Sequence, residues 1–334
     1  MKNGNRFNGR AALGPNGSWD ENEISAQKAL EECILSWIAL DNGGYKKLNG
    51  YNHLDEIILN SCRVLTGAEN HLESKDISKL FLLVREIVGR SPLISRMQKW
   101  PRGHQGDFET IDYIMKSENG AQPDSLAYFC EAHALTIPMV QQQRNKILEQ
   151  AKLIQQVCAD RKQGGRVLSL GCGSCPDLKL VERTITNWEP EIFLMDTDGD
   201  ALSMAGRQLP GLFDRLTFIE GKIVEQLYNV LESPFDLILA RGIFNQLDDE
   251  TSRIVLRMMW ERGLKPGGKV FFSNIDRNDP YRAWRTWFVS WDFNERSEIE
   301  IKDLCRSANI GMNNISIRRE DTGLAHFVEL RRPT

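Results

Sequence analysis

The chain has 334 residues, enough for one large domain or two ordinary ones around a buried core. Hydrophobic residues make up 41% and charged residues 26%, the composition of a soluble globular protein. A formal net charge of −4 gives no electrostatic basis for wrapping nucleic acid or coating an anionic membrane.

The first 18 residues are rich in Gly and Asn and read as disordered, neither a secretory signal nor a membrane span. Helical spacing follows from Asp20 to Leu40, with Ile24, Ala29, Leu30, Ile34, Trp37 and Ile38 on a stripe. Further helices are expected over Leu54–Leu65 and Asp76–Val88, the second stopped by Gly89, with Pro92 as a break. The loop Trp100-Pro-Arg-Gly-His-Gln-Gly-Asp107 comes next. Helices then cover Phe108–Met115, Ser125–Ala134 and a long stretch from Ile137 to Lys162. No run is apolar for long enough to cross a bilayer.

At Gly164-Gly165 the texture changes. Short apolar runs at Arg166–Leu170, Ile192–Met195, Leu216–Ile219, Phe235–Ala240 and Lys269–Ser273 alternate with helical patterns. Strands buried on both faces and joined by crossovers make a parallel sheet. Asn314–Arg319 and Ala325–Arg331 flank Asp-Thr-Gly, a hairpin that turns the last strand antiparallel.

The chemistry concentrates in Val167-Leu-Ser-Leu-Gly171-Cys172-Gly173-Ser174-Cys175-Pro176-Asp177, a strand running through Gly-x-Gly into a helix. Glycines there let the backbone turn sharply and pass close to a ligand. The second strand ends in Asp196, where a carboxylate can accept from both ribose hydroxyls of a nucleoside, while Asp198 suits a helix cap. The acid fits NAD and S-adenosylmethionine equally. The dinucleotide fingerprint, however, wants a third glycine where Pro176 stands, and a pyrophosphate would meet the charge of Asp177. A sulfonium without phosphates suits this acidic mouth better.

The ordered set VLSLGCGSCPD, FLMDTDGDAL, LTFIEGK, FDLILARGIFNQL and LKPGGKVFFSN resembles the class I S-adenosylmethionine-dependent methyltransferases. The resemblance implies a Rossmann-like α/β sheet, mostly parallel with its last strand antiparallel. It implies that Gly171 and Gly173 line the methionine portion of the cofactor, that Asp196 holds the ribose, and that the segment after Ile219 flanks adenine. Where the family often has an acid for the adenine amino group, Lys222 stands here, so backbone of Lys222 and Ile223 takes that role. Cys172, Thr197 and Ala240 complete the expected cofactor-binding set, with Arg144 as a planar fork for a carboxylate of cofactor or substrate.

Arg102–Ile111, Gln143–Lys146 and Trp284–Arg296 also resemble bacterial methyltransferases that form the methyl ester of hydroxypalmitic acid, an extracellular factor. That resemblance implies a helical domain ahead of the core. His104-Gln105, Arg241 and Asn245-Gln246 depart from its pattern near the expected pocket, so the acyl substrate does not carry over.

Methyl transfer from a sulfonium needs alignment and desolvation, and a base only where the acceptor carries a proton of high pKa. Three catalytic candidates follow: His104 in its Gly-flanked loop, as base or donor; Arg241 at the end of the fourth strand; and Asn245 on the same loop, to fix the acceptor. His133 reads as a packed histidine, and the aromatics at 284, 287, 288 and 291 as a core face or a lid over a greasy substrate. Seven scattered cysteines, with only Cys172 and Cys175 at C-x-x-C spacing, lack the roughly four ligands a closed zinc site needs. No metal is expected, and reduced thiols fit a cytoplasmic protein.

The expectation is a disordered 1–18, a helical N-terminal cap domain over 19–163 and a methyltransferase domain over 164–334. Its function would be S-adenosylmethionine-dependent methylation of a small molecule at a carboxyl or hydroxyl oxygen or at nitrogen. No nucleic-acid partner and no membrane span are expected, and a homodimer is left open. The alternatives are a nucleic-acid or protein methyltransferase, or a catalytically silent binding protein of the same fold.

Overall fold

A computed structural model describes residues 21–47, 51–160 and 164–334. Residues 1–18, expected to be disordered, lie outside the described residues, as do 161–163 at the end of the expected long helix. In chain order the elements are helices α1 (Glu21–Asp41), α2 (Tyr51–Ala68), α3 (Ser74–Val88), α4 (Pro92–Lys99), α5 (Phe108–Lys116), α6 (Leu126–Thr136) and α7 (Pro138–Asp160). Strands and helices then alternate: β1 (Arg166–Leu170), α8 (Pro176–Ile185), β2 (Glu191–Asp196), α9 (Gly199–Gln208), β3 (Leu216–Glu220), α10 (Ile223–Val230), β4 (Phe235–Ala240), α11 (Asp249–Met258) and β5 (Leu264–Ile275). The chain closes with α12 (Glu298–Ser307), β6 (Ile315–Arg319) and β7 (Ala325–Arg331).

Pro92 opens a helix instead of breaking one. At the first helical position its missing N–H costs nothing, and Ser91 caps the turn by accepting from the Ile94 N–H at 3.2 Å. The Leu264-Lys-Pro-Gly-Gly268 turn is drawn into β5, where the pairing with β4 shifts register between Phe235 and Leu237.

The chain forms two compact units, and their boundary is not the one expected at 164. One unit takes residues up to 101 with 119–135 and 280–292; the other takes 102–118, 136–279 and 293–334. Helices α5 and α7 therefore belong with the sheet. In the helical unit, segment 280–292 supplies core: Trp284, Trp287, Phe288 and Trp291 are buried. The Phe288 ring meets Phe81 edge-on at 5.0 Å and Trp37 at 5.9 Å. Glu69 accepts from the Trp287 indole N–H at 2.6 Å and pairs with Arg282. These aromatics are the core face of their unit. His133 is packed as expected, its Nδ1 2.5 Å from Asp55, and burial lowers its pKa.

The second unit is built on a seven-stranded sheet of order β3-β2-β1-β4-β5-β7-β6. Strands β1 to β5 pair in parallel, and β7 runs antiparallel to both neighbours, as the hairpin pattern requires. Apolar side chains fill both faces. Leu168, Ile238, Phe272 and Val328 pack with Val255 of α11 and Ile301 of α12. On the other face Val167, Leu239, Phe271 and Phe327 pack with Ile154 of α7 and Leu178 of α8. The chain steps outward from β1 to β3 and then returns to place β4 on the other side of β1. That reversal opens a crevice beyond the carboxyl ends of β1 and β4, where open α/β sheets bind ligands.

Candidate active site

The turn after β1 begins at the crevice. Gly171, Gly173 and Cys175 have φ of 62°, 55° and 59°, a left-handed run that folds the chain back into α8. A β-carbon on Gly171 would lie 2.9 Å from the Ile243 side chain, so glycine there lets the β1 and β4 loops close together. The backbone N–H groups of this turn are partly directed at the neighbouring strand: Cys172 donates to the Met195 carbonyl at 3.1 Å. The Gly173 N–H donates to Asp196 Oδ2 at 2.7 Å, and the Asp198 N–H to Asp196 Oδ1 at 3.0 Å. Each oxygen of the half-buried Asp196 thus holds one backbone donor and keeps a second lone pair, the pair of acceptors that vicinal hydroxyls require. Asp198 takes the cap of α9, accepting from the Asp200 N–H at 3.0 Å.

Asp177 does not charge the mouth of the crevice, contrary to the sequence reading. It is 1% exposed and lies 3.1 Å from the Arg241 guanidinium, which also donates to the Cys172 carbonyl. Arg241 is therefore occupied by the inner side of the glycine turn. Its backbone N–H donates to Leu170 at 3.1 Å, extending the β1–β4 ladder past Ala240, which is buried at the strand end. Asn245 is 5% exposed, and its Oδ1 accepts from the Ile275 N–H at 2.9 Å and from Asn274 Nδ2 at 3.2 Å. That oxygen fixes the end of β5.

A roof comes from residues 102–116, which the sequence reading assigned to a separate domain. Arg102 clamps Asp198 with two guanidinium nitrogens at 2.5 and 2.7 Å and reaches Asp200 at 2.6 Å. The guanidinium holds the Asp198 carboxyl below the usual range. Asp107 caps α5 through the Thr110 N–H at 3.0 Å. A β-carbon on Gly173 would come 3.3 Å from that of Phe108, and the Ser174 hydroxyl donates to Asp112 at 2.5 Å, so α5 sits on the glycine turn. Gln246 Nε2 donates to the Gln105 carbonyl at 3.3 Å, joining the roof to the β4 loop. His104 lies in this roof, half-buried, with Nδ1 3.2 Å from the Gln105 carbonyl.

One expected contact lies elsewhere. Arg144 donates to the Ile114 carbonyl at 3.0 Å, to Gln141 at 3.1 Å and to Ser117 at 3.1 Å, which anchors it to the end of α5. The Lys222 side chain is exposed and lies 3.3 Å from Glu225, at the start of α10 beside the half-buried Ile223. Thr197 is exposed next to Asp196. Among the described residues no group of three His, Cys, Asp or Glu side chains is placed to hold a metal ion, and Cys172 and Cys175 are buried free thiols.

Sequence reasoning missed Lys146. It is 7% exposed on α7, with Nζ donating to Gln143 Oε1 at 2.6 Å. A β-carbon on Gly242, just past β4, would sit 3.2 Å from that amine. Burial, reinforced by the nearby Arg241 charge and opposed by Asp177, brings the Lys146 pKa down to about 7. The available signal was a lysine at helical spacing with the apolar Met139, Leu153 and Val157.

Residues 140–306 match the model of a family described as a methyltransferase domain. That is half of the chain, and the chain belongs to this family of methyltransferases. Its methyl donor is S-adenosylmethionine. A solved structure described as a possible exported protein from Bordetella parapertussis is similar over 97% of this chain and 100% of its own, with 17% identity and a TM-score of 0.56. An O-methyltransferase family protein from Burkholderia thailandensis is similar over 61% of this chain and 63% of its own, at 14% identity and a TM-score of 0.42. Magnesium protoporphyrin IX methyltransferase from Synechocystis, solved with bound SAH, aligns over 59% and 89%, at 14% identity and a TM-score of 0.43. No curated protein matches this sequence. Among the described residues no helix is long and apolar enough to cross a membrane.

Proposed function

We propose that the chain methylates a small molecule at a carboxyl or hydroxyl oxygen or at nitrogen, in the crevice between the glycine turn and the 102–107 roof. The observation that carries this reading is the roof itself. Arg102 and Gln246 tie it to the β2 and β4 ends, so the space above the strand ends is walled on several sides. An enclosed crevice suits a small acceptor and excludes water from it. The acidic overall charge supports the same choice over nucleic acid.

In this reading Gly171, Cys172 and Gly173 offer backbone to the amino-acid end of the cofactor, and Asp196 accepts from the ribose hydroxyls. Thr197 and Ala240 border it, and the backbone of Lys222 and Ile223 flanks the adenine. The cofactor supplies an already activated methyl group on a sulfonium. The chain's own contribution is alignment and exclusion of water. His104 donates to the acceptor from the roof. Arg241 works from behind the turn by neutralising Asp177, and Asn245 by fixing the β5 end. The seven cysteines, six of them buried and all free, support a reducing, cytoplasmic setting.

The test is incubation of the protein with isotopically labelled S-adenosylmethionine and extracts of host metabolites, nucleic acid and protein. Label in a small-molecule product is the expected result. Label confined to tRNA or protein fractions overturns it.

A further inference from the structure

Helix α7 buries a polar stripe. Gln142, Lys146 and Gln150 recur one turn apart, all less than a tenth exposed, with Gln143 beside them. Such a stripe would be apolar if packing were its only task. Gln142 Nε2 and both amide ends of Gln150 have no hydrogen-bond partner, and neither does Asp177 Oδ2 facing the same region. Buried polar atoms left unsatisfied cost stability unless a ligand or water completes them.

The direction of α7 places this stripe at the site. The helix ends at Asp160, just before β1 begins, so its earlier turns lie toward the carboxyl ends of the strands. Lys146 reaches the β4 loop there, with its amine against Gly242, a glycine of φ 84° where a β-carbon would crowd the amine at 3.2 Å. The charged groups facing it are Arg241 from the β4 end and Asp177 from α8; its own helix contributes only the neutral Gln143. Two cations and one carboxylate share this buried space, and Arg241 is the one paired with Asp177 at 3.1 Å. The ammonium form of Lys146 has no anion of its own, so the site favours a neutral amine with a free lone pair.

We infer that Lys146 is the catalytic base of the transfer and that the acceptor is a hydroxyl compound whose oxygen is deprotonated at the Gly242 edge, with Gln142 donating to it. The step balances. The Lys146 lone pair takes the acceptor O–H proton, the freed oxygen pair forms the bond to the methyl carbon, and the carbon–sulfur pair returns to sulfur. Lysine is left as ammonium and loses its proton to solvent after product leaves. An acceptor that is already a carboxylate would need no such base, and the inference selects hydroxyl from the acceptors of the proposed function, on which it rests.

The test has two arms. The first needs no acceptor: a titration of Lys Cε resonances in 13C-labelled protein, with Lys146→Met assigning the signal. One resonance titrating near 7 and missing in the variant is expected; a Lys146 midpoint above about 9 overturns the inference. The second arm measures labelled-methyl transfer to hydroxyl compounds in a metabolite extract, with S-adenosylhomocysteine binding measured on the same samples. Lys146→Met and Lys146→Arg should bind S-adenosylhomocysteine as wild type does and lose transfer by about 10²–10⁴-fold. The residual rate of Lys146→Gln should lose the acidic limb near pH 7. Variants that transfer at the wild-type rate overturn the base, as does a labelled product that is a carboxylate ester. Wild-type protein that binds no S-adenosylhomocysteine would instead overturn the cofactor reading, and the resonance titration still decides the state of Lys146.

Discussion

Arg241 and Lys146 reach the same buried space by opposite routes, one paired and one not. Arg241 holds Asp177 and the Cys172 carbonyl, so removing it strands a carboxylate that is 1% exposed. Arg241→Met should destabilise the fold by about 3–5 kcal/mol, and adding Asp177→Leu should recover most of that loss. Urea midpoints check this, and a single-variant loss under about 1 kcal/mol would contradict the assignment. Lys146 makes the reverse prediction. Its pKa falls from the usual lysine value to about 7 on folding. Between about pH 7 and about pH 10 the unfolded chain therefore binds a proton that the folded chain does not, and stability rises with pH. Melting curves across that window should climb for wild type relative to Lys146→Met. Parallel curves would mean that Lys146 keeps its proton.

At the level of elements, the roof depends on a few side chains. The two-pronged Arg102–Asp198 contact fastens the 102–107 loop to the turn before α9, and Asp107 starts α5 over the glycine turn. Arg102→Ala should speed amide exchange through residues 102–107 while leaving the exchange of β1 and β4 unchanged. An unchanged loop would show that α5 alone holds the roof. This is also where sequence legibility ran out. The strands and the glycine turn were readable because burial on both faces and positive φ leave marks in local composition. The roof was not, because Arg102 and Asp198 are 96 positions apart and each looks like a surface charge. Pro92 misled for a related reason: the same ring that breaks a helix interior fits a first turn, and only the Ser91 cap distinguishes the two.

For the whole molecule, the mostly parallel sheet with its antiparallel last strand followed from pattern, whereas the strand order and the division into units did not. Helices α5 and α7 join the sheet and 280–292 joins the helices, a rearrangement carried by side chains such as Glu69 and Arg85 that reach Trp287 from far along the chain. Gly171, Gly173 and Asp196 stood out at once, because a turn without β-carbons beside a strand-end acid has few structural uses. Lys146 did not, because its meaning depends on Arg241 and Gly242 arriving beside it. The proposed chemistry of this crevice rests on Asp196 taking the nucleoside of S-adenosylmethionine. Titration calorimetry with S-adenosylhomocysteine on wild type and Asp196→Ala tests it most directly. One saturable site in wild type, weakened by about tenfold or more in the variant, is the predicted result, the loss of a hydrogen-bonded charge being worth at least about 1.5 kcal/mol. No heat with wild type, or equal affinity in the two proteins, would contradict it.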